Sequence, residues 1–511
     1  MLPTAHPARR LGLLLTLILC LLALLPAGPA RAADLTAGTE AELNAAIAAV
    51  NAAGAGTHTI TLSADIILTD WSTPFDNPAA TAIILDGAGH TIDGGGSDNE
   101  SILSVAAGTT ARVRDITLTN AQASAGGGIL NEGTLTVEGS HITANEASLA
   151  GGGIYSTGQL TIIDTTISDN SARNYGGGIV LEGEATGLTM QNSTLSGNEA
   201  GYAGGGLHAI NYQAQVIVLT NVTFSGNHSA YGAGGAQFFA GDGHELTVTI
   251  TNSRLVNNAG YHGALWIDSS GVAEVTVSGS TVAGNRSTAA DGLTLAASGG
   301  IYATAQPGGT TSLTLFNSTV SGNSTGRAGG GLLVAANGGA VGANVVYSTL
   351  AENTAEAGGG GIHTTAANGG VASVRLAASI ITNGLGAGPD CAAPGVSAAI
   401  ISTGFNLAGD DTCFPDEDDD SDLIASAAGL LPLALNAPAM TPTHALSVTS
   451  PALDRIPRGG LGCGTAISAD QRGVARPQPA GGRCDIGAFE RRPGETPEFR
   501  MYLPGVWGSR Q

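Results

Sequence analysis

Between residues 81 and 383 the apolar and polar positions alternate in short runs. LTIIDTTI (residues 160–167) and LTLFNSTV (residues 313–320) are typical. A period of two predicts strands, and none of these runs is long enough to be anything but a short one. The runs recur in a fixed frame. Each ends on an asparagine after an S/T-x-apolar step: Asn145, Asn170, Asn198, Asn227, Asn258, Asn285, Asn323, Asn353 and Asn383, with Asn120 opening the series in a shifted register. From Asn120 to Asn383 is 263 residues over nine intervals, a mean near 29. After most of these asparagines comes a glycine cluster, such as Gly151 to Gly153 or Gly204 to Gly206, and an apolar residue such as Ile154 or Leu207 then restarts the strand.

A strand–turn repeat of this length reads as a coil stacked on its neighbours at about 4.8 Å. The fold expected is all-β: a right-handed parallel β-helix, a single-stranded solenoid of about 10–11 rungs. Stacked asparagines would bond one another and the turn backbone while tolerating a left-handed conformation, and glycines would serve a corner where a positive φ or a close approach excludes a Cβ. Leucine-rich repeats fail for want of a leucine consensus, and an antiparallel sandwich would not hold such a register.

Open ends of a solenoid expose unpaired edges. Thr39-Glu40-Ala41-Glu42 has the T-x-x-E form of a capping box, and Leu43, Ile47 and Val50 share one helical face, so residues 39–51 are expected as a helix closing the N-terminal end. The part after Asn383 carries Cys391, Cys413, Cys463 and Cys484 and is expected to close the other end. Four cysteines allow three connectivities; the local pairs 391 with 413 and 463 with 484 are favoured because each closes a short loop.

Composition sharpens this picture. Glycine is 78 of 511 residues and aromatics only 4%, so the core must be built from small and β-branched side chains. The chain opens with Arg9 and Arg10, an apolar run from Leu11 to Leu25 and Ala30-Arg31-Ala32, the layout of an export signal. The expected layout is a signal at 1–32, cap and first strands at 33–80, coils at 81–383, a C-terminal module at 384–490 and a tail at 491–511. No lysine occurs; without the signal 16 arginines face 41 acidic residues, a net charge of about −25. Such a surface repels nucleic acid and anionic lipid, and the mature chain has no segment expected to span a membrane.

The GGGI and S-T-x-S-G-N segments resemble polymorphic outer-membrane protein and pectin-lyase-like β-helix repeats, as does ILDGAGHTIDGGG (residues 84–96). TPTHALSVTSPALDRI followed by CGTAISADQRGVARPQPAGGRCDIGAFE resembles the choice-of-anchor Q module of exported bacterial β-helix proteins. That resemblance implies export and surface association, not a reaction.

Lyase or hydrolase chemistry on this fold would need convergent carboxylates. Asp164, Asp169, Glu182, Glu184, Asp268, Asp291 and the other acids of the coils do not recur at matching positions in adjacent rungs. A non-catalytic adhesin or binder of extracellular polysaccharide or cell-surface proteins is the reading preferred, with a polysaccharide lyase or glycoside hydrolase and a purely structural envelope component as alternatives. The candidate contact residues are Tyr175, Tyr202, Tyr231 and Tyr261, at spacings of 27, 29 and 30, with His208, His228 and His262 nearby. Stacked coils would line these rings along one edge, either to stack on sugars or simply to cover the turns. No cofactor is called for except, at most, Ca²⁺ at Asp416, Asp418, Asp420 and Asp422; that run lacks the glycine and final glutamate of an EF-hand loop, and a solvated acidic loop accounts for it equally.

Overall fold

The computed structural model describes residues 33–96, 100–183, 187–288, 297–383, 388–414 and 420–495. The signal segment, the tail beyond Glu495, Glu184, Asp291, Asp416 and Asp418 lie outside the described residues.

One coil shows how the sequence builds the whole. Strands Ile154–Ser156, Gln159–Ile163, Thr166–Ser168 and Ser171–Ala172 follow one another and form four faces, here numbered one to four. Each strand pairs in parallel with its counterparts in the coils before and after, Ile154 with Ile129 and Ile179, for example. The faces extend into sheets of eleven, fourteen, fourteen and nine strands. Alternation then sorts the side chains: Ile154, Leu160, Ile162 and Ile167 point inward and are buried, while the residues between them face out. The solenoid has about 13 turns, more than the 10–11 expected, because coils near both ends lack the asparagine and glycine signature by which the repeat was counted. Coil pairing begins at Asp34–Ala37 and still links Leu407–Ala408 to Leu423–Ile424.

The asparagine file is a continuous hydrogen-bonded ladder. The Asn198 backbone N–H and Nδ2 both donate to Asn227 Oδ1 (3.0 and 2.9 Å), and Asn198 Nδ2 also donates to the Ile167 carbonyl one coil back (3.0 Å). The same three bonds repeat from Asn145 to Asn353, and Asn383 hands them to Asp390 Oδ1. Two expectations need correcting. Asn120 is not a ladder member: Ala121 stands in the ladder register and its N–H donates to Asn145 Oδ1, while Asn120 reaches Asp93. The left-handed residue is not the ladder asparagine either but the one before it, Asp169 (φ 56°), Gly197 (φ 63°) or Gly226 (φ 64°). That turn aims the following side chain along the stack.

The corner between faces two and three uses the same device with a hydroxyl. A left-handed Asp164, Asn192, Asn252 or Asn317 precedes Thr165, Ser193, Ser253 or Ser318, whose side-chain oxygen accepts the backbone N–H of the coil before. This second ladder went unread in the sequence. At the glycine corner Gly151 needs its positive φ of 66°, whereas Gly153 is excluded from bearing a Cβ, which would lie 2.7 Å from the Gly178 carbonyl and 3.2 Å from Asn170 Nδ2.

Helix α1 (Glu40–Asn51) closes the N-terminal end as expected, with the Thr39 side chain accepting from the Glu42 N–H and Leu43, Ala46, Ile47 and Val50 buried. The disulfides are Cys391–Cys413 and Cys463–Cys484. The C-terminal segment does not simply plug the far end. It lies back along face three, where Gln471 bonds Thr281 and Thr319, the Ala488 N–H donates to Thr349 Oγ1, and Ser321 meets His444 at 2.8 Å. Within it Arg472 pairs with Asp470 and Arg476 with Glu490, all four side chains fully buried, and the guanidinium groups lie over Phe489 and Tyr347. Among the described residues no helix is long and apolar enough to cross a membrane.

Asn227 sits mid-ladder. Asn227→Ala removes the acceptor of two Asn198 donors and the donor to the Leu195 carbonyl, all buried, and is expected to cost about 3 kcal/mol in chemical denaturation. Glycine at the exposed Asn120, which suits its left-handed φ of 57°, is expected to cost less than about 1 kcal/mol.

Candidate functional site

The four tyrosines singled out by spacing lie between faces four and one, in the corner that holds the glycines. Backbone bonds set their file: Asn174 donates to the Leu149 carbonyl, Tyr202 to Asn174 and Tyr231 to Tyr202. Leu149, Tyr202 and Tyr231 are 54%, 51% and 56% exposed. Tyr175 is one residue further along its corner, bridged to Ala150 and Ala203, and its ring leans back to stack on His208 at 4.9 Å. Tyr175 and Tyr202 meet edge to face at 5.3 Å, and Tyr202 and Tyr231 lie 5.5 Å apart, tilted by 36°. Three rings in consecutive coils therefore form one exposed edge.

Tyr261 does not join them; it is 4% exposed. Corner length decides this. Nine positions separate Asn170 from Ile179, Asn198 from Leu207 and Asn227 from Ala236, but only seven separate Asn258 from Leu265. The shortened corner draws Tyr261 against the body of the solenoid, beside His262 at 4.7 Å. His262 in turn lies 4.3 Å from Trp266 and 4.5 Å from Tyr302, making a closed aromatic cluster.

His208 and His262 are likewise not contact residues: both are more than nine-tenths buried. Burial pushes the His208 imidazole down to about 4 and that of His262 to about 3, so both are neutral near pH 7. His228 stays outside, 3.8 Å from Glu199.

The residues missed by spacing follow a rule visible in the chain. The position just after each restart residue faces outward on face one, and along it stand Tyr155, Val180, His208, Gln237, Trp266 and Tyr302 in register. GGGIY, GGGLH, GALW and GGIY carry that file in plain sight. Two positions on, the outward file holds Glu182, Ile210, Phe239 and Asp268. The Tyr155 hydroxyl donates to Glu182 Oε2 at 2.9 Å; burial, and then that carboxylate, raise the phenol above its ordinary range. Asp268 is raised by burial and takes a partly offsetting bond from Gln306 Nε2 at 3.1 Å. Glu182 and Asp268 are three coils apart, about 14 Å, too wide to flank one glycosidic bond.

Of the proposed Ca²⁺ run, Asp422 spends its carboxylate on Asn406, accepting from its backbone N–H at 2.7 Å. Among the described residues no three His, Cys, Asp or Glu side chains gather as a metal site.

The site's chemistry is thus a row of uncharged rings with hydroxyl rims, Tyr175 resting on the neutral His208 imidazole, with Glu182 and Glu199 on the adjoining strands. Its stability should depend on pH. The unfolded histidines take up protons near 6.5 and the folded ones only near 4 and 3, so stability that is full above about pH 6.5 is lost as pH falls toward 4. Each histidine contributes up to roughly 3 kcal/mol to that loss. Denaturant midpoints at pH 7 and 4.5 should therefore converge in His262→Phe relative to the native chain, with the fluorescence of the adjacent Trp266 reporting the opening.

Residues 74–227 match the family model for a right handed beta helix region. No curated protein and no solved structure matches the chain at a significant level. The match covers the coils that carry Tyr175 and Tyr202 and stops just short of Tyr231.

Proposed function

We propose that this is an exported, surface-associated, non-catalytic β-helix protein that binds extracellular polysaccharide through its tyrosine edge. The observation that carries the reading is the exposure of Tyr175, Tyr202 and Tyr231 in three consecutive coils, at ring spacings of 5.3 and 5.5 Å. Aromatic rings with a polar tip offer large, rigid, amphipathic area, which suits the C–H faces and hydroxyl rims of sugars. Their distribution supports it: of nine tyrosines, six (155, 175, 202, 231, 261 and 302) fall at this corner or on the adjoining face one and Tyr212 directly follows a face-one strand, although other coils manage the same turn without any. The N-terminal signal pattern and two disulfides support export. The C-terminal segment, read as a choice-of-anchor Q module, is the part that would associate with the surface.

The test is a glycan array with the mature chain, with and without Ca²⁺, beside Tyr202→Ala and Tyr231→Ala. These rings point outward, so the variants should unfold at the native denaturant midpoint while each weakens binding by roughly two- to tenfold. Absence of binding to any glycan, or binding indifferent to both substitutions, would overturn the reading.

A further inference from the structure

Beside the tyrosine edge, face one carries a carboxylate that the fold does not use. Glu182 is partly exposed, and among the described residues its side chain takes one hydrogen bond, from the Tyr155 hydroxyl, and no ion-pair partner. Aromatic rings surround it. Tyr155 stands one coil before Val180 on the same outward face, Tyr175 stacks on His208 one coil after, and Tyr212 follows Asn211, the strand partner of Gly183. Tyr175 and Tyr212 are 38% and 47% exposed, so the cluster is open to solvent. Burial first, and then the Glu182 carboxylate, hold the phenols of both Tyr155 and Tyr175 above their ordinary range.

We infer that this surface cluster, Tyr155, Tyr175 and Tyr212 with Glu182, selects a sugar bearing a protonated amine, with Glu182 as its counter-ion. The inference rests on the polysaccharide reading and gives it a ligand class. An ammonium group is attracted both to a carboxylate and to the faces of aromatic rings, and the pyranose carrying it presents C–H groups to the same rings. A neutral or N-acetylated sugar would cover Glu182 without a cationic partner, at a desolvation cost. A uronate would be repelled outright. With 41 acidic and 19 basic residues, the chain also draws cations toward it from a distance.

That long-range attraction requires a control. Binding of short β-1,4-linked glucosamine oligomers, their N-acetylated counterparts and β-1,4-linked glucose oligomers should be measured on the native chain, on Glu182→Gln, and on Glu274→Gln, which removes the same charge from an exposed position on face two. The expected result is a preference for the glucosamine oligomer that falls by about tenfold or more in Glu182→Gln, stays in Glu274→Gln, and fades as pH rises and the amine loses its proton. Weaker binding of the neutral oligomers should persist in both variants and fall by roughly two- to tenfold on Tyr202→Ala. If all three oligomers bind alike, or the preference falls equally in both glutamate variants, the inference is overturned while polysaccharide binding stands. If no oligomer binds to any form, the inference is overturned, and the glycan array decides separately whether polysaccharide binding stands.

Discussion

The asparagine ladder is the constraint from which the rest of the solenoid follows. Each ladder amide between the two ends uses its two Nδ2 hydrogens, one for the next asparagine and one for a strand carbonyl of the coil before, while its Oδ1 accepts twice from the preceding asparagine. A buried amide left half satisfied would destabilise the coil, and only complete stacking satisfies every one. No single coil could do so alone. The glycine file is a consequence of that stacking: a Cβ on Gly206 would lie 2.6 Å from the Gly235 carbonyl and 3.2 Å from the Asn227 amide carbon. Two motifs far apart in each repeat are thus one contact seen from its two sides.

This explains which features could be read in the sequence. The asparagine and glycine files repeat because each position must suit its neighbours in the next coil, so they surfaced as a period and with them the fold. The serine and threonine ladder obeys the same logic but hides among ordinary strand residues: Ser193 looks like part of the alternation, and only its left-handed predecessor Asn192 marks it. The left-handed corner residues Asn192, Asn221 and Asn317 and the ladder residues Asn227, Asn285 and Asn323 account for six of the seven N-x-S/T triplets without reference to glycosylation. Contacts between distant segments left no trace in the period. Gln471 bonds Thr281 across 190 residues, and nothing in STVAGN distinguishes that threonine from the solvent-facing Thr194 in STLSGN.

The site was legible in part for the same reason. Spacing located the tyrosines, since they follow the ladder by a nearly constant count, but spacing of 30 could not report that Tyr261 had moved. What changed was the stretch between Asn258 and Leu265, two residues short, and it turned an edge residue into a buried one. The histidines misled differently. His208 lies on the outward side of its strand, yet the corner of the coil before folds over it and stacks Tyr175 on its ring. Outward on a face of this solenoid is not the same as exposed.

Those corners are where this architecture leaves freedom for function. The four faces are locked by pairing and the two polar corners by their ladders, so a residue changed there must answer to both neighbouring coils. The stretch between ladder asparagine and glycine cluster answers to fewer partners and varies in length, which lets individual coils raise a ring into solvent or fold one away. Three coils with equal corners raise Tyr175, Tyr202 and Tyr231, and the next, shorter one ends the row. An edge whose extent is set by corner length can be extended one coil at a time without disturbing the ladder beneath it. Recognition built in this way would lengthen in steps of one coil, which is the geometry an extended repeating polymer calls for.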